Sequence, residues 1–356
     1  MDMQIELSNN LKTKPKWGID ELGFGKIFTD HMLTIDYNPD KGWHHARITP
    51  YAPLTLDPAS CCLHYGQLVF EGLKAYKNAN GGVTLFRAVE NMARLNESSQ
   101  RMCIPTINPT DLLSALSKLV EIEKDWVPPM PGASLYIRPM IIATDVALAV
   151  YPSHTYRLIV ILSPVAAYYK GGMAPLLICV DTEYVRATKG GTGEAKCAGN
   201  YAASLRSQVT AQGQGFAQVL WLDGLHRKYI EEVGTMNVFF VIDNVAVTPQ
   251  LSGSILPGVT RKSVIDILKG WNIPTEERPI TIDELAAAYT SGRLEEAFGT
   301  GTAAVISPIG ELTWGNTVMK LSGGNVGKLT QQLYDEVTGI QYGTRPDTRG
   351  WVQPIQ

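Results

Sequence analysis

Strand and helix patterns run through this sequence in two series, and a stretch rich in glycine and proline separates them. The first series includes a helix signal that begins at Asn108 and strand-like runs at Ser134–Arg138 and Tyr156–Leu162. The stretch Ser163–Pro175 holds paired glycines and two prolines, which is the composition of a linker. Alternating strands and helices pack as mixed layers, so we expect two α/β halves that join near residue 170.

The second series follows the same patterns. Apolar runs predict strands, amphipathic runs predict helices, and polar turn residues mark their ends. The second half is therefore expected to contain strands at Leu176–Val180 and Ala217–Leu222, helices at Ala202–Gln212 and Val259–Leu268, a hairpin that turns at Asp243-Asn244, a capping box at Thr281–Glu284 and a broken strand within Glu296–Ile306.

Composition excludes several classes of partner. The chain has 356 residues, of which 45% are hydrophobic, enough for a large core and two domains. Its net charge of −3 and its scattered basic residues give no reason to expect nucleic acid or an acidic membrane surface. No apolar run approaches the roughly 18 residues of a membrane span, and Met1–Pro15 has the layout of neither a signal nor a transit peptide. We therefore expect a cytoplasmic protein.

Cysteine and histidine spacing argues against a disulfide framework and against a metal site. The five cysteines include the adjacent pair Cys61 and Cys62, and none has CxxC spacing. The six histidines form no HExxH motif and no carboxylate-flanked set. We expect free thiols and no bound metal.

Lys196 lies in an unusual run of glycines and small residues, Gly190–Tyr201. The thin chain on both sides leaves room for a bulky group to approach the amine closely. Burial lowers the pKa of a lysine, and a neutral amine is a nucleophile that forms Schiff bases. A glycine-rich surface loop with an incidental lysine explains the local run equally well.

Three phosphate-binding patterns compete. A P-loop is rejected because Ala195 precedes Lys196 and Cys197 follows it. Gly299–Ala304 matches GxGxxA after a strand, but it lacks the helix and the distant acid of a dinucleotide fold. The segment Ile255–Arg261 offers free backbone N–H groups at a helix start, although an ordinary helix start fits it equally well.

Taken together, several motifs carry a family resemblance. The sequence resembles the branched-chain amino acid aminotransferases, which are pyridoxal-phosphate enzymes of fold type IV. The resemblance extends from about residue 20 to the end, and motifs in the order of that family make it specific. The motifs are His64–Tyr76, Phe86–Arg94, Ser134–Pro139, Glu194–Tyr201, Gln218–Leu222, Glu232–Asn237, Leu256–Arg261 and Gly299–Ala303.

The resemblance implies a fold and a reaction. The fold class is α/β, an α+β arrangement with mixed sheets, in a two-domain fold-type IV enzyme. We expect a small N-terminal domain over 1–167, a linker over 168–176 and a larger C-terminal domain over 177–356 that carries the Schiff-base lysine. The reaction is a ping-pong transamination of leucine, isoleucine and valine with 2-oxoglutarate, which gives branched-chain 2-oxo acids and L-glutamate.

The resemblance also assigns residues to the pyridoxal 5′-phosphate cofactor. Lys196 would form the Schiff base and move the proton at the substrate Cα. Glu232 would pair with the pyridine nitrogen, Tyr201 would hydrogen-bond the phenolic oxygen, and Arg94 would hold the phosphate. Further cofactor contacts are implied for the backbone N–H groups of Val259 and Thr260, the Thr302 hydroxyl, Leu256 and Thr235.

Substrate contacts follow from the same resemblance. Arg138 would bind the glutamate side-chain carboxylate, and Thr302 with the Ala303 N–H would bind the α-carboxylate. Leu148 and Val150 resemble residues that the family inserts into the site of a partner subunit, which implies a homodimer. The walls of the aliphatic pocket would come from Tyr65, Phe70, Tyr136, Tyr168 and Thr235.

Each assignment has a plainer alternative. Glu232 also fits an acid at a hairpin end, Tyr201 a core aromatic, Arg94 a solvent-exposed arginine and Arg138 a strand arginine in an ion pair. The functional alternatives are a D-amino acid aminotransferase or an aminodeoxychorismate lyase of the same fold, and a nucleotide-dependent dehydrogenase. Ala304 and Ser307 stand where some family members carry a CxxC pair, so no thiol-based redox control is expected there.

Overall fold

The structure, a computed structural model, describes residues 2–15, 17–166 and 173–355. The chain packs into two compact units. The first unit comprises Met1–Tyr168, Ala195–Ala198 and Gly339–Gln356, and the second comprises Tyr169–Glu194 and Gly199–Thr338. Tyr168 and residues 169–172 of the predicted linker lie outside the described residues.

The first unit is built on a nine-stranded sheet. Its longest neighbours pair antiparallel over ten residues, from Ser134–Val165 to Ala143–Tyr156. The strands are β1 (Met3–Ile5), β2 (His31–Asn38), β3 (Gly42–Pro50), β4 (Leu68–Phe70), β5 (Leu73–Lys77), β6 (Val83–Phe86), β7 (Ser134–Ala143), β8 (Tyr156–Val165) and, from the chain's end, β18 (Val352–Ile355). Their order is β1-β3-β2-β8-β7-β5-β6-β18, with β4 added beside β7.

Two long helices of the first unit pack on this sheet. The helix segments are α1 (Ile19–Leu22), α2 (Cys61–Tyr65), α3 (Ala88–Arg101), α4 (Pro109–Ile122) and a 3-10 turn at Lys124–Trp126. In α4, the Asn108 side chain accepts hydrogen bonds from the N–H groups of Thr110 and Asp111, which confirms the predicted helix start. Leu95 of α3 and Leu116 of α4 are fully buried in the same core as Leu135 of β7.

The second unit contains another nine-stranded sheet. Its strands are β9 (Leu176–Val180), β10 (Gln218–Leu222), β11 (Ile230–Val233), β12 (Met236–Ile242), β13 (Val245–Thr248), β14 (Thr275–Glu277), β15 (Leu294–Gly301), β16 (Val305–Trp314) and β17 (Thr317–Lys320). The order is β11-β10-β9-β16-β15-β12-β13-β14, and β11 also pairs with β12. That last pairing closes six of these strands into a ring, which removes their exposed edges.

The helices of the second unit cover this sheet. They are α5 (Ala198–Gly213), α6 (Val259–Gly270) and α7 (Ile282–Thr290), followed by a 3-10 turn at Ser322–Gly324 and by α8 (Lys328–Gln341), which continues into the first unit. In the core, the Phe239 and Phe298 rings stack at 5.2 Å between centroids. The Glu284 N–H donates to the Thr281 hydroxyl at 3.0 Å, as the predicted capping box requires.

The local predictions for the second half agree with these elements. The strand Leu176–Val180 has the predicted bounds, and α5 begins four residues earlier than the predicted Ala202. Asp243 and Asn244 both have positive φ, as expected for a two-residue hairpin turn between β12 and β13. Within the described ranges, every helix is too short or too polar for a membrane crossing.

Candidate active site

The backbone of Lys196 is fixed on the first unit beside β4. Its N–H donates to the Ser98 hydroxyl of α3 at 2.9 Å, and its carbonyl accepts the Phe70 N–H at 2.9 Å. Cys197 forms a bridge to Val69, so this short segment extends the edge of β4. The Lys196 amine lies 4.9 Å from the centroid of the Phe70 ring. The glycine-rich run is therefore an ordered segment and not a loose surface loop.

Arg94 is buried and forms a two-point ion pair with Glu71. Its Nε lies 2.7 Å from Glu71 Oε1, and its NH2 group lies 3.0 Å from Oε2. Burial opposes the charged form of Glu71, but the charges of Arg94 and Lys196 and the hydrogen bonds from Arg94 and Asn91 outweigh it and lower the pKa of this carboxyl. The interpretation of Arg94 as a solvent-exposed arginine is therefore wrong.

Glu71 was missed by the sequence reasoning as a functional residue. A usable signal was present, because a single acid stands in the apolar run Leu68–Tyr76. A buried charge requires a partner, so such an acid predicts an arginine or a lysine nearby. Arg94 meets that requirement, and Asn91 Nδ2 donates a further bond to Glu71 Oε2 at 2.9 Å.

Arg138 lies in an aromatic cluster with two residues that were predicted for the same pocket. Its guanidinium carbon lies 4.7 Å from the Phe70 ring centroid, and its NH2 group donates to the Tyr136 hydroxyl at 3.2 Å. A Cβ at Gly72 would lie 2.0 Å from that hydroxyl, so only glycine fits there. The Phe24 ring, which sequence reasoning did not single out, meets the Tyr136 ring edge-on at 5.1 Å. A cationic group is thus held against an apolar aromatic wall.

Three further predicted residues of the first unit are exposed in this chain. Tyr65, at the end of α2, is 42% exposed, and Leu148 and Val150 are 71% and 83% exposed. The loop that carries Leu148 and Val150 is anchored at its base, where Asp145 accepts the Thr155 N–H at 2.9 Å. A firmly based loop with apolar tips is typical of a surface that another molecule covers.

Glu232 of β11 is buried in the second unit, only 3% exposed. Its Oε1 accepts the Leu256 N–H at 2.8 Å and lies 3.1 Å from the NH2 group of Arg186. The acid therefore belongs to a buried polar cluster and is not a surface acid at a hairpin end. Arg186 was not predicted as a site residue, and nothing in its local sequence distinguishes it.

Four predicted cofactor residues of the second unit line one cavity. Tyr201 from α5 and Thr235 from the turn after β11 join Glu232 and Leu256 there. The lining residues are Arg186, Asn200, Tyr201, Ser204, Glu232, Gly234, Thr235 and Leu256. A carboxylate, a phenol and a threonine hydroxyl thus face a common space, which suits a flat ring with polar substituents.

The N-terminus of α6 offers a site for an anion. Its N-cap residue is Gly258, which provides no side-chain cap, so the first N–H groups, those of Val259 and Thr260, point out of the helix. A Cβ at Gly258 would lie 2.0 Å from Asn237 Oδ1, and Asn237 Nδ2 donates to the Leu256 carbonyl at 2.9 Å. Helix N-termini of this kind bind phosphate groups.

Thr302 and Ala303 lie in the turn between β15 and β16. These two strands pair antiparallel, with Gly299 opposite Ser307 and Gly301 opposite Val305. The GxGxxA match is therefore part of a β-hairpin and does not lead from a strand into a helix. This geometry rules out the dinucleotide-binding interpretation, because the pyrophosphate site of that fold needs the helix N-terminus.

The residues fit pyridoxal phosphate by the chemistry of their donors. The cavity of the second unit supplies a buried carboxylate in Glu232 and a phenol in Tyr201, and the α6 N-terminus supplies backbone donors for a phosphate. The first unit supplies the primary amine of Lys196 beside an aromatic face. These are the group types that hold a pyridine ring, its phenolic oxygen, its phosphate and its aldehyde.

Known proteins are similar to this chain over most of its length. The family model of aminotransferase class IV matches residues 68–312. Branched-chain-amino-acid aminotransferase 2 of Bacillus subtilis (strain 168) is 54% identical over 353 residues, which cover 99% of this chain and 97% of that protein. A branched-chain-amino-acid aminotransferase of Mycobacterium tuberculosis is 48% identical over 337 residues, covering 93% and 92%.

Solved structures agree with the sequence comparison. The crystal structure of an Escherichia coli branched-chain amino acid aminotransferase has a TM-score of 0.77 at 26% identity, covering 92% of this chain and 99% of that one. The branched-chain amino acid aminotransferase of T.th. complexed with N-(5′-phosphopyridoxyl)-L-glutamate has a TM-score of 0.72 at 26% identity, covering 90% and 98%. The resemblance seen in the motifs and the predicted fold class are both confirmed, and the chain belongs to the class IV aminotransferase family.

Proposed function

We propose that this chain is a pyridoxal-phosphate-dependent branched-chain amino acid aminotransferase. The observation that carries the proposal is the single cavity in which Glu232, Tyr201, Thr235 and Leu256 come together, in a chain about half identical to enzymes of that name. We propose leucine, isoleucine and valine as amino donors and 2-oxoglutarate as the acceptor. The products are then branched-chain 2-oxo acids and L-glutamate.

The chemistry divides between the cofactor and the protein. When bound, pyridoxal phosphate supplies an electron sink for the electrons of the substrate Cα–H bond. Lys196 removes the proton from the substrate Cα and delivers it back in the second half-reaction, which is general acid–base catalysis by an amine. The Phe70 ring beside the Lys196 amine shields it from water on that side.

Other residues hold the cofactor. We propose that the Glu232 carboxylate keeps the pyridine nitrogen protonated and that the Tyr201 hydroxyl bonds the phenolic oxygen. The phosphate is held by the Val259 and Thr260 N–H groups. The Arg94 guanidinium and the Thr302 hydroxyl add to these contacts, and the Arg94 side chain is already oriented by its pair with Glu71.

Substrate recognition needs a pocket that accepts an aliphatic chain and a carboxylate in turn. Phe70 and Tyr136 provide apolar contact for the branched chain, in which each buried CH₂ contributes about 0.8 kcal/mol. Arg138, held against both rings, binds the glutamate side-chain carboxylate. The turn residues Thr302 and Ala303 bind the α-carboxylate. Tyr65, Tyr168 and Thr235 complete the proposed pocket.

We further propose a homodimer in the cytoplasm. The exposed Leu148 and Val150 side chains support this assembly, because apolar loop tips on an anchored base are suited to burial against a second subunit. In that arrangement the two side chains reach the site of the partner. The chain has no nucleic acid or membrane as a proposed partner.

A panel of amino donors tests the function. Purified protein supplied with pyridoxal phosphate is mixed with 2-oxoglutarate and one donor at a time, and glutamate formation is measured. We expect L-leucine, L-isoleucine and L-valine to be the best donors. Activity with D-amino acids in place of the L-forms would favour a D-amino acid aminotransferase, and no transfer from any amino acid would refute the proposal.

A further inference from the structure

Arg186 joins three separate segments of the second unit through one nitrogen. Its NH2 group donates to the Gly193 carbonyl at 2.9 Å, donates to the Ser254 carbonyl and lies 3.1 Å from Glu232 Oε1. The side chain is 8% exposed. A buried guanidinium keeps its charge, so it must be compensated by the groups around it.

Those groups include two adjacent buried acids. Glu231 and Glu232 follow one another on β11 and are 4% and 3% exposed. Burial raises the pKa of Glu231, whose Oε1 accepts the Ser254 hydroxyl; Glu232 and Asp223 raise it too, while Arg186 lowers it. Arg186 is therefore the cation that this acidic cluster is built around.

The packing leaves Arg186 little freedom. A Cβ at Gly193 would lie 2.2 Å from the Ser254 carbonyl oxygen and 2.7 Å from Ala187 Cβ, so the glycine run closes directly onto the Ser254 segment. Arg186 bridges the two carbonyls at this junction. The Glu232 carboxylate is then fixed from two directions, by Arg186 and by the Leu256 N–H at 2.8 Å.

We propose that Arg186 is a positioning residue that holds Glu232 ionised and aimed into the cavity that both residues line. This inference rests on the proposed function, in which Glu232 pairs with the cofactor's ring nitrogen. An ionised partner holds the proton on that nitrogen, and a neutral partner does not. Arg186 thus controls the protonation of the ring from behind Glu232.

The test compares Arg186→Gln, Arg186→Lys and a matched control, Arg227→Gln. The Arg227 guanidinium also bonds two backbone carbonyls, those of Thr182 and Glu183, but it is exposed and faces no acid of the cavity. Each protein is loaded with pyridoxal phosphate labelled with nitrogen-15 in the ring. The nitrogen chemical shift is followed against pH, and the single-turnover rate with leucine is measured.

We expect the ring nitrogen of Arg186→Gln to lose its proton at a lower pH than in the wild type. The leucine rate should fall at least about tenfold, the change that one pKa unit at the nitrogen would cause. Arg186→Lys should lie between the two, and Arg227→Gln should match the wild type. An unchanged nitrogen titration in Arg186→Gln, with a rate within about twofold, would overturn the inference.

Two other outcomes are decided in advance. If Arg186→Gln does not fold, Arg186→Lys decides: a lowered titration midpoint supports the inference, and an unchanged midpoint overturns it. If the wild type transfers no amino group, the proposed function fails, whereas a wild-type enzyme unaffected by the Arg186 variants overturns this inference alone.

Discussion

Glu71 and Arg94 face each other edge to edge, with Nε 2.7 Å from Oε1 and NH2 3.0 Å from Oε2, and Glu71 is completely buried. The pair lies between β4 and α3, the same two elements that fix the backbone of Lys196. Removing one charge of a buried pair is costly because the other remains uncompensated. Glu71 therefore orients the arginine assigned to the cofactor phosphate and makes its burial possible.

The Glu71–Arg94 pair predicts a dependence of stability on pH. The pKa of Glu71 is lowered in the folded chain, so the unfolded chain binds the extra proton first as the pH falls. The contribution of Glu71 is fully present above the unfolded pKa of about 4.3 and is lost as the pH falls through the lower folded value. Denaturant titrations should show the free energy of unfolding decreasing over that acidic range.

Glu71→Gln should lower the free energy of unfolding at neutral pH by about 3–5 kcal/mol and should reduce its acid dependence. Glu97, an exposed acid on the helix that carries Arg94, provides the control, because Glu97→Gln removes an acid without uncovering a buried charge. Equal pH profiles for wild type and Glu71→Gln would show that the pair does not stabilise the fold.

The Lys196 amine is the group assigned to proton transfer, so its removal should abolish turnover while cofactor binding persists. Lys196→Ala should keep pyridoxal phosphate through its phosphate and ring contacts and lose at least about 100-fold in rate. Lys189→Ala, an exposed lysine just before the same glycine run, should behave as the wild type. Dialysis followed by absorbance measures retention of the cofactor, and glutamate formation measures the rate. Near-normal turnover in Lys196→Ala would mean that another residue moves the proton.

Gly72 is required by the position of the Tyr136 hydroxyl. In Gly72→Ala the new Cβ would lie 2.0 Å from that oxygen, so the ring must move, at an overpacking cost of about 1–3 kcal/mol. We expect a lower melting temperature and a higher KM for leucine. Gly213→Ala is the control, because a Cβ there meets nothing within 4 Å. If both variants had the same KM, Tyr136 would not be part of the pocket.

Features set by neighbours in the sequence were predictable. The helix start at Asn108 and the turn at Asp243-Asn244 depend on residues within four positions of each other, so their spacing alone specifies the backbone. Motif order likewise identified the family before any coordinates. The domain limits of 1–167 and 177–356 remain predictions, although Ala195–Ala198 packs with the first unit.

Long-range pairs were not predictable in this way. Glu71 and Arg94 are 23 positions apart, and they meet only because the strand and the helix pack together. Arg186 reaches Ser254 across 68 positions. Neither partner has a local pattern that identifies the other, so burial of the charges could be expected from the sequence, but the identity of the partner could not.

The position of Arg138 over two aromatic rings predicts that its loss separates the two substrates. Leucine needs only the apolar walls, whereas 2-oxoglutarate needs a cation for its second carboxylate, worth about 1.5–3 kcal/mol as a charged hydrogen bond. Arg138→Met should therefore raise the KM for 2-oxoglutarate by about 10–100-fold and change that for leucine by less than about threefold. Arg138→Lys should be intermediate, because an ammonium group keeps the charge but not the planar contact with Phe70. Arg157→Met on the neighbouring strand, whose arginine pairs with Asp36, is the control and should leave both KM values unchanged. Equal losses for the two substrates in Arg138→Met would indicate that Arg138 supports the pocket structurally instead of recognising the carboxylate.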